Sequence, residues 1–472
     1  QDKLIEYDGT SFSEVPSVTS HPIYDMWPFT YNNKLYTGFM SSFGLKFTMM
    51  EYNGITNTQF ASPIGYNTNF LSGHFGEQIE YNGKMYMVYI TDNGNSNLME
   101  FDGTGLVAFP SPTGYTAGGS IAAGYKGDPV LYNGLLYLRY KADNGRLELF
   151  SFDGATLTAI PSPPGYNTAN FGYSSDPYIY NGKLYMKYIH NTGRTDLMEY
   201  NGTTLTAITS PTGFLNSAKG YEGLPIEYNG KLYLRYYGDD DVHQLFEYDG
   251  TTLTEITSPA SYSTQYGGYN NDPIIYKNKL YLKYRGNSDR NTLFQFDGTT
   301  LSIIESPSGY NDARRGYNGN PIVFDGKLYM KYQANNETHD LMAYDGINFT
   351  SIPSLTGFTG VKKGYEDSPV INDGVLYMRY KRNSDTYALF KLSIITTNVN
   401  NDPGNKVNVY PNPTNDYVNF NGIDSSCPYE IFDSKGLLLK SGEMNGFLNF
   451  SNYDSGVYSI ILNLKAYRIV KL

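Results

Sequence analysis

The residues able to do chemistry are scattered through this chain of 472 residues rather than gathered. The five histidines are His21, His74, His190, His243 and His339. They fall at unrelated phases of the sequence, and none has metal-ligand spacing to another. No Gly-x-Ser-x-Gly elbow presents a serine nucleophile. The run Asp239-Asp240-Asp241 clusters oxygens of the kind calcium prefers, but it reads equally as a solvated acidic loop. No catalytic residue, metal or cofactor is assigned. An enzyme built on this chain would have to assemble paired carboxylates from distant loops.

Two regular series stand out instead. Tyr125, Tyr173, Tyr221, Tyr269, Tyr317 and Tyr365 each follow a glycine and precede a proline by four positions. The cations Lys219, Arg314, Arg315, Lys362 and Lys363 precede several of them. Exposed together, such groups would form an aromatic, basic rim suited to sugar rings and acidic sugars. Packed under their own segments, the tyrosines would only anchor the chain. A second stripe, Arg139, Lys187, Arg235, Lys283, Lys331 and Arg379, follows a tyrosine by two in each case. Glu199 and Glu247 are its candidate partners in two copies; stems stretched along tyrosine rings are the alternative.

The elements that must hold these series repeat. An aromatic-Asp/Asn-Gly turn has its glycine at Gly9, Gly54, Gly103, Gly154, Gly202, Gly250, Gly298 and Gly346, the last five 48 residues apart. A second turn, as in Tyr228-Asn-Gly-Lys-Leu-Tyr233, also occurs eight times. Both are hairpin signals, because a type I′ turn needs positive φ at both central residues. Each unit therefore reads as four antiparallel strands; in the sixth they are Pro273–Tyr276, Lys279–Tyr284, Thr292–Phe296 and Thr300–Ile304. Eight such units predict an all-β, eight-bladed β-propeller over residues 1–393. The N-terminal strands are expected to complete the last blade, with Leu4–Tyr7 and Leu389–Leu392 competing for its third position.

Composition agrees with this and excludes other classes. Tyr accounts for 48 residues and Trp for one, and 40% hydrophobic content suffices for a large core. The net charge is 35 − 46 = −11, which repels nucleic acid unless a basic face is segregated. No run of eighteen apolar residues spans a membrane. Cys427 is the single cysteine, so no internal disulfide forms, and it reads as a small buried hydrophobe. The start at Gln1 reads as a mature terminus left by signal-peptide removal. Residues 394–406 are rich in Thr, Asn, Pro and Gly and read as a linker. Strands suggested at Val407–Tyr410, Tyr417–Asn421, Tyr429–Phe432, Leu437–Lys440, Val457–Leu462 and Tyr467–Lys471 suit a small β-sandwich over 407–472.

Two resemblances attach to these motifs. Leu245-Phe-Glu-Tyr-Asp-Gly-Thr251 resembles the bacterial propeller repeat with the signature Glu-Leu-Trp-x-x-Asp-Gly-Thr, with Phe or Met replacing its Trp throughout. The second lies in the C-terminal module. Tyr410-Pro411-Asn412-Pro413, the segment ending at Gly436, Gly456 with Tyr458, and the closing Val470-Lys471-Leu472 resemble the type A sorting domain of the Bacteroidota type IX secretion system. That resemblance implies recognition by the type IX translocon and an outer-membrane shuttle barrel. It also implies delivery to the cell surface or extracellular space, and frequent cleavage with anchoring to lipopolysaccharide. The cargo's own activity is expected to be adhesion or binding of an extracellular polysaccharide, with gliding motility permitted by the resemblance. A secreted propeller carbohydrase or lyase and a structural surface spacer are the alternatives.

Overall fold

In a computed structural model, the described residues are 5–7, 12–14, 23–40, 47–54, 56–69, 72–118, 122–270, 273–352, 354–366, 369–372, 374–393, 408–421, 427–433, 437–462 and 465–471. The expected linker 394–406, together with Gly9, His21, Gly436 and Leu472, lies outside them. The chain divides into two compact units, residues 1–271 with 284–287, and residues 272–283 with 288–472. Among the described residues no helix is long and apolar enough to cross a membrane.

The fold is all-β. The fifth repeat, in the first unit, shows the plan: strand one Gly220–Tyr228, strand two Lys231–Tyr237, strand three His243–Tyr248 and strand four Leu253–Ile256, each antiparallel to the next. Among the described residues the first hairpin occurs eight times, from Ile23–Tyr31 with Lys34–Met40 to Val370–Asn372 with Val375–Lys381. Its turn residues have the backbone expected of a type I′ turn. Asn229 and Gly230 sit at φ 49° and 71°, and Asn133 and Gly134 at 48° and 76°.

The second hairpin departs from expectation. Only the glycine of its Asp-Gly pair is left-handed, as at Gly250 with φ 97°. The Asp249 carboxylate instead accepts hydrogen bonds from the backbone N–H groups of Thr251 and Thr252, at 2.8 and 2.7 Å. Asp297 does the same for Thr299 and Thr300. The aspartate acts through its side chain rather than through a tolerated positive φ.

Alternation along strand two buries both faces. Leu232, Leu234 and Tyr236 are fully buried on one side, and Tyr233 is buried on the other. Each core draws on two successive repeats: Tyr180, Tyr185 and Leu197 meet Tyr221, Leu232 and Phe246 in the first unit. In the second unit, Phe324, Tyr329 and Leu341 meet Tyr365, Leu376 and Met378. A single repeat thus leaves its faces uncovered, which makes neighbours obligatory. A tyrosine latch adds to this. The hydroxyls of Tyr31, Tyr81, Tyr132 and Tyr180 donate to the carbonyls of Gly83, Gly134, Gly182 and Gly230, one repeat further on, at 2.6 to 2.8 Å. Tyr276 donates to Gly326 likewise.

The array's ends differ from expectation. The third-strand position of the last repeat is held by Tyr387–Ser393, in register with Val375–Lys381. Among the described residues Ile5–Tyr7 and Phe12–Glu14 pair only with each other, as a separate two-stranded sheet. Among the described residues, the N-terminal hairpin is thus not seen to complete the last repeat. The longer strand, with seven paired positions, takes the contested place.

The C-terminal module has its own core. A three-stranded sheet (Asn408–Tyr410, Tyr417–Asn421, Phe447–Asn449) and a four-stranded sheet (Leu438–Met444, Cys427–Phe432, Gly456–Leu462, Lys465–Lys471) contribute Val418, Phe420, Ile431, Ile460 and Ile469 to it. The short strand Phe447–Asn449 was not legible in the sequence. Cys427 is buried there, as expected.

Candidate sorting signal and connector surface

The six glycine-tyrosine positions do not form an exposed aromatic rim. Tyr125, Tyr173, Tyr221, Tyr317 and Tyr365 are fully buried and Tyr269 is 3% exposed. Each packs on the strand-two tyrosine directly opposite: Tyr125 on Tyr140 and Tyr173 on Tyr188, with centroids 5.6 Å apart. The preceding glycine explains the placement. Gly124, Gly172 and Gly220 have φ of 99°, 108° and 101° and bridge to strand three of the previous repeat at Ser96, Leu147 and Thr195. The chain crosses another backbone at this point, and its tyrosine is driven inward. These rings are unavailable to a sugar.

Of the connector cations, three spend their charge locally. Lys219 pairs with Asp241, Arg315 with Glu337 at 2.5 Å, and Lys363 with Asp385. All three acids occupy the left-handed position of the loop between strands two and three, with φ of 67°, 70° and 65°. Arg314 reaches Asp289 at 3.3 Å but remains 77% exposed, and Lys362 is exposed. The Asp239-Asp240-Asp241 run is likewise occupied by protein donors. Asp239 accepts from the Asn216 N–H, and Asp240 from the Val242 N–H. Hydrogen bonds from Lys219, Gln265 and Tyr237 hold the Asp241 carboxyl down to about 2. Among the described residues no group of histidine, cysteine and carboxylate side chains could hold a metal.

The strand-two stripe also finds partners other than those expected. Glu199 and Glu247 take the lysines that open strand two, Lys183 and Lys231, at 2.7 and 2.5 Å, and the hydroxyls of Tyr185 and Tyr233. Arg235 instead meets Glu222 at 3.0 Å, and Lys331 meets Glu366 at 3.3 Å. Arg139 meets Asp128 at 3.0 Å, and Arg379 lies 4.9 Å over the Tyr387 ring. Lys187 and Lys283 lie at the same strand positions. Glu222 and Glu366 directly follow the buried tyrosines Tyr221 and Tyr365, whereas Asp128 lies three residues past Tyr125, between strands.

Two of the histidines, 96 residues and so two 48-residue repeats apart, share a phase after all. His243 and His339 both open strand three, at 3.3 Å from Glu222 and 3.9 Å from Glu366. Burial first, and then Lys331, push His339 down to about 4, so its approach to Glu366 is not an ion pair at neutral pH. His74 replaces the buried tyrosine of its repeat and packs on Tyr89 at 5.5 Å. Among the described residues neither ring nitrogen has a hydrogen-bond partner, and burial pushes the imidazole down to about 4. The unfolded chain thus binds a proton that the native state refuses between about pH 6.5 and 4. Stability should fall as pH drops through that window, by about 3 kcal/mol at ~1.4 kcal/mol per pH unit. Denaturation of His74→Phe at pH 7 and pH 4.5 checks this: the variant should lose much less on acidification, and equal losses would refute it.

In the C-terminal module the first and last motifs form one structure. The Asn412 side-chain amide donates to the Arg468 carbonyl at 2.7 Å, and its oxygen accepts from the Val470 N–H at 2.9 Å. Thr414 N–H donates to the Val470 carbonyl at 2.8 Å, forming a bridge to Lys471. Pro411 and Pro413 flank Asn412, both after cis peptide bonds, and all three are exposed; Tyr410 is half exposed. Tyr458 is buried against Phe450 and Tyr453, and its hydroxyl donates to the Asp454 carbonyl. A Cβ at Gly456 would lie 3.8 Å from that ring.

The protein class these elements define is a repeat-built all-β chain with an appended two-sheet module. Residues 408–471 match the family described as the secretion system C-terminal sorting domain. The chain accordingly carries a type IX sorting tail and is exported to the cell surface or extracellular space. No curated protein matches the chain. Among solved structures, it is similar to PorZ, a surface component of the type IX secretion system of Porphyromonas gingivalis. The identity is 15%, over 98% of this chain and 67% of PorZ, with a TM-score of 0.37. A prolyl endopeptidase (11%, 82% and 54%, 0.42) and the Aleuria aurantia lectin bound to a fucosylated disaccharide (12%, 60% and 96%, 0.29) are also similar. The chain spans about half the endopeptidase. At these scores the likenesses carry no argument about activity.

Proposed function

We propose that this chain is a type IX cargo whose eight repeats are the blades of a β-propeller of the Glu-Leu-Trp-x-x-Asp-Gly-Thr type, and that it acts at the cell surface by binding an extracellular polysaccharide. The observation that carries the export half is the sorting module at 408–471, in which Asn412 ties the first motif to the last. The propeller half rests on eight hairpins in constant order and on cores shared between successive repeats. For binding, the supporting groups are the exposed connector cations Lys362 and Arg314, the latter 77% exposed although it reaches Asp289, since the tyrosines are buried and the other three cations are paired and less exposed.

Arg314→Ser with Lys362→Ser should change stability by no more than about 0.5 kcal/mol, as is usual for exposed side chains. It should elute earlier than the native protein from a column of acidic polysaccharide, and salt should release the native protein similarly. Equal retention removes the role of these cations. New reducing ends or unsaturated products on incubation with the polysaccharide would favour the carbohydrase or lyase reading instead.

A further inference from the structure

The third repeat inverts a charge found at one position in two other repeats. Glu222 and Glu366 sit one residue past the buried tyrosine and neutralise a strand-two cation. The same position in the third repeat, one residue past Tyr125, is Lys126. Its backbone N–H donates to the Arg139 carbonyl at 2.8 Å, so the two cations are neighbours across the hairpin. The equivalent pair elsewhere is Glu222 opposite Arg235. Lys141, at the end of the same strand two, stands opposite Gly124, which contributes no side chain between them.

These three cations line one open cleft together with Gly145, Leu147 and Asn170. Only Arg139 has an acidic partner, Asp128; its guanidinium is further held by the carbonyls of Lys126 and Ser174. Lys126 donates to the Ser96 hydroxyl at 3.0 Å. Among the described residues, neither Lys126 nor Lys141 is paired with a carboxylate. Burial first, and then Lys141 and Arg139, push the Lys126 ammonium down to about 8. Among the described residues Asp128 answers Arg139 alone, and Lys126 bears this cost with no carboxylate of its own; buried, like-charged groups of this kind cluster at ligand sites.

We propose that the cleft of the third repeat binds a single oxyanion, a carboxylate or sulfate group, between the Lys126 and Lys141 ammonium groups with the Arg139 guanidinium beside them. Two ammonium donors and a guanidinium fork supply charge-assisted hydrogen bonds to such a group. The anion would supply the negative charge that Glu222 and Glu366 provide in their own repeats. This site is separate from Arg314 and Lys362 and does not rest on the polysaccharide reading.

The test is calorimetric titration of the full chain at low salt with three ligands: inorganic sulfate, glucuronate and glucose 6-sulfate. At least one should bind saturably at one site. Lys126→Glu installs the acid found at Glu222 and Glu366, opposite Arg139. It should keep or raise the melting temperature and weaken binding at least tenfold; Lys141→Gln should weaken it less. Sulfate binding as tightly as glucose 6-sulfate assigns the site to a free anion, whereas preference for a sugar-borne anion assigns it to a saccharide. No binding by the native protein, or equal binding by a folded Lys126→Glu variant, overturns the proposal. Loss of column retention in the Arg314 and Lys362 variant bears only on the connector surface.

Discussion

A chain lacking residues 408–471 is expected to accumulate in the periplasm with its repeats folded, and to reach the cell surface in no detectable amount. Among the described residues the core of the C-terminal module is built from side chains between Val409 and Ile469, so the repeats are expected to keep their own packing without it. Fractionation and protease accessibility of intact cells measure the outcome; surface delivery of the truncated chain at the normal level would sink the export assignment. The reciprocal transfer, 408–471 fused to an unrelated periplasmic protein, should bring that protein to the surface. Asn412→Ala is a milder version. It removes two hydrogen bonds, worth about 1–2 kcal/mol together, and should reduce export without abolishing it.

The second large effect is expected inside the repeats, at Gly220→Ala. A Cβ there would lie 2.0 Å from the Thr195 carbonyl oxygen, and φ is +101°. Left-handed backbone costs an alanine about 1–2 kcal/mol. Relieving the clash also requires a backbone to move away from the bridge between two repeats, so a total loss of ~4 kcal/mol or more is expected. Gly230→Ala is the control. Its φ is +71° and nothing lies within 4 Å of the added carbon, so only about 1–2 kcal/mol of strain should appear. Chemical denaturation midpoints compare the two, and similar losses would mean that the close crossing at Gly220 does not constrain the fold.

That glycine also shows where sequence reading succeeded and where it went astray. The hairpins were legible because Asn-Gly pairs and period-two alternation are local signals. The tyrosines after Gly124, Gly172 and Gly220 were legible as a series, but a series at constant spacing lies equally well on a rim or in a core. The discriminating signal was the glycine itself: an exposed connector has no need of a left-handed residue pressed against another backbone. The partners of Glu199 were misassigned for a subtler reason. Tyr185 is directly opposite it, so Lys183 and Lys187 are both diagonal neighbours on the same face. Strand twist brings one diagonal closer, and the sequence does not say which. The Lys126 cleft was missed because the tyrosine series drew attention to conserved phase, whereas the informative residue is the one that departs from it.

The clasp between Asn412 and the strand at 465–471 has a consequence for quality control. Synthesis runs from the N-terminus, so Arg468 and Val470 are joined to the chain after every repeat has been made. Until then the Pro-Asn-Pro corner lacks the two backbone groups that hold it. A message broken anywhere upstream, or a ribosome that stops early, yields a product whose export mark is never assembled. The tail would thus certify that the repeats before it have been made as well as address them. Chains ending after Leu462 should then be retained as completely as those lacking the whole module, although most of the family motifs are still present in them.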